Sequence, residues 1–142
     1  MKRGSTIIES IISLAIILIT ISLSFQITSI TINSITLRKN KEKGNRIAYA
    51  IENEIKYNFT ITELETLFNN NLSLKYSDNI MENISKKSLL LLERGNDIII
   101  EKIKDESTEE NYRIYVYRVK ILSPKGGIMT EREFIKSYWM DI

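Results

Sequence analysis

The stretch Met1–Thr20, MKRGSTIIESIISLAIILIT, decides how the rest of the chain is read. Two basic residues, Lys2 and Arg3, precede Gly4. A single carboxylate, Glu9, stands at the mouth of an apolar run, and no further charge occurs until Arg38. Ser10 to Leu37 spans 28 uncharged residues. As a helix rising about 1.5 Å per residue it is about 42 Å long, enough to cross a bilayer with its headgroups. A charged side chain at the bilayer centre costs about 2.5–3.5 kcal/mol on insertion scales, so a membrane segment normally excludes one. Glu9 therefore needs a partner or a use.

The run is too long for the 7–15-residue core of a secretory signal and lacks the small-residue cleavage site that follows one. It is rich in Ile, Ser and Thr. Hydroxyls can bond backbone carbonyls in lipid, so a helix is the conformation expected there. A plain membrane anchor is the simpler alternative, and it leaves Glu9 unexplained.

The 142 residues make one domain of ordinary size, 43% hydrophobic and 27% charged, with the apolar content gathered ahead of Arg38. Neither Cys nor His is present. Disulfides, thiolate nucleophiles, imidazole bases and the usual zinc ligands are thereby excluded. The five glycines form no phosphate-binding loop. Composition therefore speaks against catalysis, and no catalytic residue, cofactor or metal is assigned. Removing Lys2 and Arg3 from the 20 basic residues leaves 18, equal to the 18 acidic ones, so a strong nucleic-acid footprint is absent.

The string RGSTIIE leading into an apolar helix resembles the class III signal of type IV prepilins and pseudopilins. The resemblance implies that Met1, Lys2, Arg3 and Gly4 are a leader recognised through Lys2 and Arg3. A prepilin peptidase would cut between Gly4 and Ser5 and methylate the new amine of Ser5. Thr6, Ile7, Ile8 and Glu9 then reach the acidic fifth residue of the mature chain, and Thr6 and Glu9 become assembly residues. In filaments of this family the apolar helices form a central bundle in which that acidic residue faces the amino terminus of a neighbour. A buried charge is tolerable there because it is paired. The implied partners are the peptidase/methylase, other pilin subunits, an inner-membrane assembly platform and membrane lipid. Three departures stand out. Ser5 replaces the usual Phe; the chain's single proline, Pro124, lies outside the apolar run; and the cysteines of many pilins are missing. The proline-free helix leans toward a minor pilin or a pseudopilin.

Topology sets two rules against each other. The family orientation puts the amino terminus in the cytoplasm and the remainder outside. Counting positive charges favours the reverse, because Arg38, Lys39, Lys41, Lys43 and Arg46 outnumber Lys2 and Arg3. The peptidase acts from the cytoplasmic side, and this decides for the family orientation. The 38–46 cluster is read as a flank that anchors the helix, with contact to lipid headgroups or to DNA as the alternative.

Past the membrane the helix is expected to continue. Ile47, Ala50, Ile51 and Ile55 recur at three- and four-residue spacing, with Glu52 and Lys56 as an i,i+4 pair on another face. Gly44 is a point where this helix would bend or fray. TITELETLF predicts a short helix capped by Thr62 and Glu65, with Leu64, Leu67 and Phe68 inward. FNNNLSLKYSDN reads as loop, and the sequons at Asn58, Asn71 and Asn83 carry no assigned function. SLLLLERGNDIIIEKI predicts a hairpin turning at Gly95-Asn96. YRIYVYRVKIL is a strand with Tyr115, Tyr117, Val119 and Ile121 on one face and Ile114, Val116, Arg118 and Lys120 on the other. The acidic loop DESTEEN before it is read as a solvated tip, with calcium binding the alternative. SPKGG makes a further turn, and REFIKSYWMDI is a strand or short helix bringing Trp139 against the sheet.

The expected fold is α+β and pilin-like: a long N-terminal helix packed on a small antiparallel sheet of three to four strands. It divides into a leader (1–4), a transmembrane or filament-core helix (5–37), an amphipathic continuation (38–58) and an α+β globular domain (59–142). The expected function is a structural subunit of a type IV pilus, a minor pilin for preference. A pseudopilin of a competence or type II secretion system is the runner-up, and a single-pass anchored enzyme or receptor is the third reading.

Overall fold

The structure, a computed structural model, describes residues 3–68, 71–108, 112–123 and 126–141, with backbone alone at 3–5 and 67–68. The chain divides into two units, Met1–Lys39 and Asn40–Ile142. Helix α1 (Arg3–Asn58) carries the apolar segment in the first and enters the second. In the first unit its described side chains are exposed throughout, among them Ile7, Ile12, Leu18, Phe25, Ile32 and Leu37. This helix is long and apolar enough to cross a membrane. Ser and Thr are weak helix formers because their hydroxyls compete for backbone. Here they bond the carbonyl four residues back, as Thr20 does to Ile16 at 2.8 Å and Thr28 to Ser24 at 2.9 Å.

The second unit is an α+β fold. Four antiparallel strands in the order β1-β2-β3-β4 are β1 (Leu72–Leu74), β2 (Ile98–Asp105), β3 (Ile114–Leu122) and β4 (Ile128–Ser137). The end of α1 packs on the sheet as its stripe requires, with Ile47, Ile51 and Ile55 buried and Ala50 partly so; Ala48 joins them. In β3 the expected alternation holds. Tyr115, Tyr117, Val119 and Ile121 are buried and share the inner face of the sheet with Phe134, Ile98 and Ile100 of the neighbouring strands. The register sets Tyr117 opposite Phe134 and Ile98 opposite Ile121. On the outer face Arg118 pairs with Glu101, Glu131 and Glu133, and Lys120 with Glu101.

Several local expectations are corrected. Gly44 does not fray α1, which stays helical through it; a Cβ there would lie 2.9 Å from Met129 Sδ, so the glycine lets β4 approach the helix. Helix α2 (Ile61–Phe68) is capped two residues earlier than expected. The Thr60 N–H donates to the Glu63 carboxylate at 2.9 Å, and the Glu63 N–H donates to Thr60 Oγ1 at 3.3 Å. Leu64 is buried as expected; the side chains of Leu67 and Phe68 lie outside the described ones.

The Gly95-Asn96 hairpin does not form. Leu89–Leu91 is a 3-10 turn instead. The partner of β2 is β1, inside the stretch read as loop, with Leu72 opposite Ile100 and Leu74 opposite Ile98. The residues after Leu92 run beside β1: the Lys75 N–H donates to Glu93 O at 2.9 Å and the Asp97 N–H to Leu74 O at 3.2 Å. A second short helix, α3 (Ile80–Lys86), follows directly after that stretch, where no element was expected, and buries Ile80 and Ile84. Trp139 is not packed on the sheet. It lies in a 3-10 turn, Tyr138–Met140, 61% exposed and edge-on to Tyr138; Phe134 takes the core position instead.

The expected turn after β3 is present, with Gly126 at φ +87° and its N–H bonded to Ser123 O at 2.8 Å. Pro124 and Lys125 in that turn, and the last three residues of DESTEEN, lie outside the described residues.

Candidate functional site

The residues singled out for processing and assembly lie at the start of α1. Lys2 lies outside the described residues, and Arg3, Gly4 and Ser5 are described as helical backbone. The structure brings Thr6 and Glu9 together: at i,i+3 spacing they line one shallow groove with Ser10, Ser13, Leu14 and Ile17. Ser10 Oγ donates to the Thr6 carbonyl and Ser13 Oγ to the Glu9 carbonyl, both at 2.8 Å. These bonds leave the Glu9 carboxylate to its surroundings. It is exposed and forms no ion pair with any described side chain.

Chemically, this end of the chain supplies a helix start that contains a glycine, and a groove of hydroxyl and aliphatic groups with the Glu9 carboxylate in its lining. The hydroxyls of Ser10 and Ser13 are turned to backbone carbonyls and not to a base. Among the described residues no cluster of three or more carboxylates, histidines or cysteines is placed to hold a metal.

The second unit has a buried polar centre of its own, where sequence reasoning looked in the wrong place. Glu52, assigned above to a face other than the apolar stripe, is buried. Its carboxylate accepts from Lys56 Nζ at 2.6 Å, the expected i,i+4 pair, and also from Arg132 of β4. Burial pushes the Glu52 carboxyl up, but Lys56 and Arg132 outweigh it and hold it below its ordinary value.

Lys136 is fully buried. Its ammonium donates to Lys56 O at 2.8 Å, Met140 O at 3.2 Å and Asp141 Oδ1 at 2.8 Å. The other oxygen of Asp141 accepts the Ile61 N–H at 2.9 Å. One lysine thus ties the end of α1, the start of α2 and the segment after β4, and all its protons are used. Tyr115, buried and donating to Glu65, has its hydroxyl pushed up to about 12. These groups are consumed in holding elements together, as buried charges must be.

Neither a family model, nor a curated protein, nor a solved structure matches this chain.

Proposed function

We infer that the chain is a prepilin-like structural subunit, a minor pilin for preference. It is inserted in the membrane by α1, cut between Gly4 and Ser5, methylated at Ser5 and assembled into an extracellular filament. One observation carries this reading: a lone carboxylate five residues past a glycine that follows two basic residues, at the head of a membrane-length helix. The layout supports it, since that helix leads into a small antiparallel sheet.

The proposed cut also suits the local structure. Gly4 lies in the first turn of α1, where the leading N–H groups have no intrahelical partner. Glycine is among the poorest helix formers, at about 1 kcal/mol relative to Ala, so a peptidase opens this turn at little cost. The proline-free apolar segment supports a minor subunit or a pseudopilin over a major pilin.

Co-expression with a prepilin peptidase tests the reading through intact mass. The expected product begins at Ser5 and is one methyl heavier than the bare chain. An unprocessed chain beside an active peptidase defeats the proposal.

A further inference from the structure

The apolar segment of α1 carries two polar faces of different character. At about 100° per residue, Thr6, Ser10, Ser13, Thr20, Ser24, Thr28 and Thr31 fall on one face. The hydroxyls of Ser10, Ser13, Thr20, Ser24, Thr28 and Thr31 donate to the carbonyl four residues back, so they make no demand on a neighbour. Ser22, Gln26, Ser29 and Asn33 fall on the opposite face, within an arc of about 60°. Their spacing alternates four, three and four residues, the seam of a left-handed helix pair.

All four are exposed. The Gln26 and Asn33 carboxamides make no hydrogen bond with any described residue. In a bilayer the two amides are in an unfavourable position. Gln26 lies about 4 Å from the middle of the uncharged run and Asn33 about 14 Å from it, both inside a hydrocarbon layer about 30 Å thick. Each carboxamide has donors and an acceptor that its own helix leaves unused, and hydrocarbon offers them no partner. Asn and Gln in membrane helices meet this need by bonding across to another helix.

We propose that this face binds a second copy of the chain, forming a parallel helix pair in the bilayer through Ser22, Gln26, Ser29 and Asn33. The chemistry selects a copy over an unrelated helix. A carboxamide is donor and acceptor at once, so it complements itself. Two chains inserted the same way set Gln26 against Gln26 and Asn33 against Asn33 at matched depths, one heptad apart. Ser22 and Ser29, which alternate with them, are small enough for the backbones to approach. The pair requires membrane insertion of α1 and is independent of processing at Gly4, so it stands or falls separately from the prepilin reading.

Cysteine cross-linking of the purified full chain in phosphatidylcholine vesicles is the test, because the natural chain has no cysteine. Ser22→Cys and Ser29→Cys are expected to yield disulfide-linked dimers on mild oxidation, and Ser24→Cys and Thr31→Cys, on the opposite face, are not. The double variant Gln26→Leu/Asn33→Leu, which keeps the helix apolar, should weaken association about tenfold by energy transfer between labelled chains. Cross-linking that peaks at Ser24 and Thr31, that is equal on both faces, or that is absent from the seam overturns the proposal. Undiminished association of the double variant does so too.

Discussion

At the scale of the residue, Glu9 and Lys136 answer one physical demand in different ways. Lys136 is buried in this chain and finds all its partners within it: two carbonyls and the Asp141 carboxylate. Glu9 is exposed and finds none among the described side chains, so in the proposed filament its counter-charge comes from the Ser5 amine of a neighbour. Glu9→Ala separates this role from that of a plain anchor. Membrane insertion should be unchanged or improved, because the alanine removes a desolvation cost, and cleavage after Gly4 should persist. Incorporation into filaments should fall sharply, since leaving one partner of a buried pair uncompensated costs about 3–5 kcal/mol. The ratio of variant in sheared filaments to variant in membranes measures this, and a ratio equal to that of the natural chain removes the role from Glu9. The isolation of Glu9 was legible in the sequence because a charge in an apolar run stands out. Lys136 was not, because a lysine on a strand reads as an outward position until the register places it opposite Tyr115.

At the scale of the element, Gly95 shows how one residue type supports two readings. Before a run of isoleucines it signals a hairpin turn. In the fold its Cα lies so close to β1 that an added Cβ would sit 2.7 Å from the Cα of Lys75. Backbone cannot yield as a side-chain tip can, so Gly95→Ala should destabilise the second unit by about 1–3 kcal/mol, read as a lowered urea midpoint. At Gly44 the nearest atom is the flexible end of Met129, so an alanine there should cost less; equal costs at the two sites would refute the close-approach account. The same contrast explains what was legible. Strand β3 announced itself because nine residues alternate strictly, and the stripe of α1 because isoleucines recur at helical spacing. Strand β1 is three residues long and follows three asparagines. Helix α3 is seven residues long. Such short elements carry less than two periods of either pattern, so packing rather than local pattern determines them. The leucines at 89–92 misled because an apolar run without alternation fits a strand and a buried turn equally well.

At the scale of the whole chain, the two units follow from where the charge lies. Up to Lys39 there is almost none beyond the first residues. From Asn40 on, charges are mixed and largely paired, and a core of isoleucines, leucines and tyrosines supports a fold without disulfide or metal. A fragment beginning at Arg38 keeps all of that core and omits the segment suited to lipid, so it should be soluble and unfold cooperatively. Its response to pH is set by groups that are shifted at the two extremes. The carboxyls of Glu52 and Glu101 are held below their ordinary value of 4.5, the first by Lys56 and Arg132 against burial, the second chiefly by Lys120. A depressed carboxyl contributes stability that is present above its unfolded value and is lost as pH falls through the folded one. The Tyr115 hydroxyl is raised from 10.0 to about 12 by burial and by Glu65. Its contribution is complete below 10 and fades as pH rises through the folded value. With no histidine or cysteine in the chain, no side chain of ordinary pKa titrates between these limbs. The urea midpoint of the fragment should therefore be flat from about pH 5 to about pH 9 and fall on both sides. Glu52→Gln should lower the plateau by about 1–2 kcal/mol and shrink the acid limb, since it strands Lys56 and Arg132 while removing one titrating group. A fragment without cooperative unfolding would show that the core depends on the first unit, and an acid limb unchanged in Glu52→Gln would assign acid sensitivity to other carboxylates.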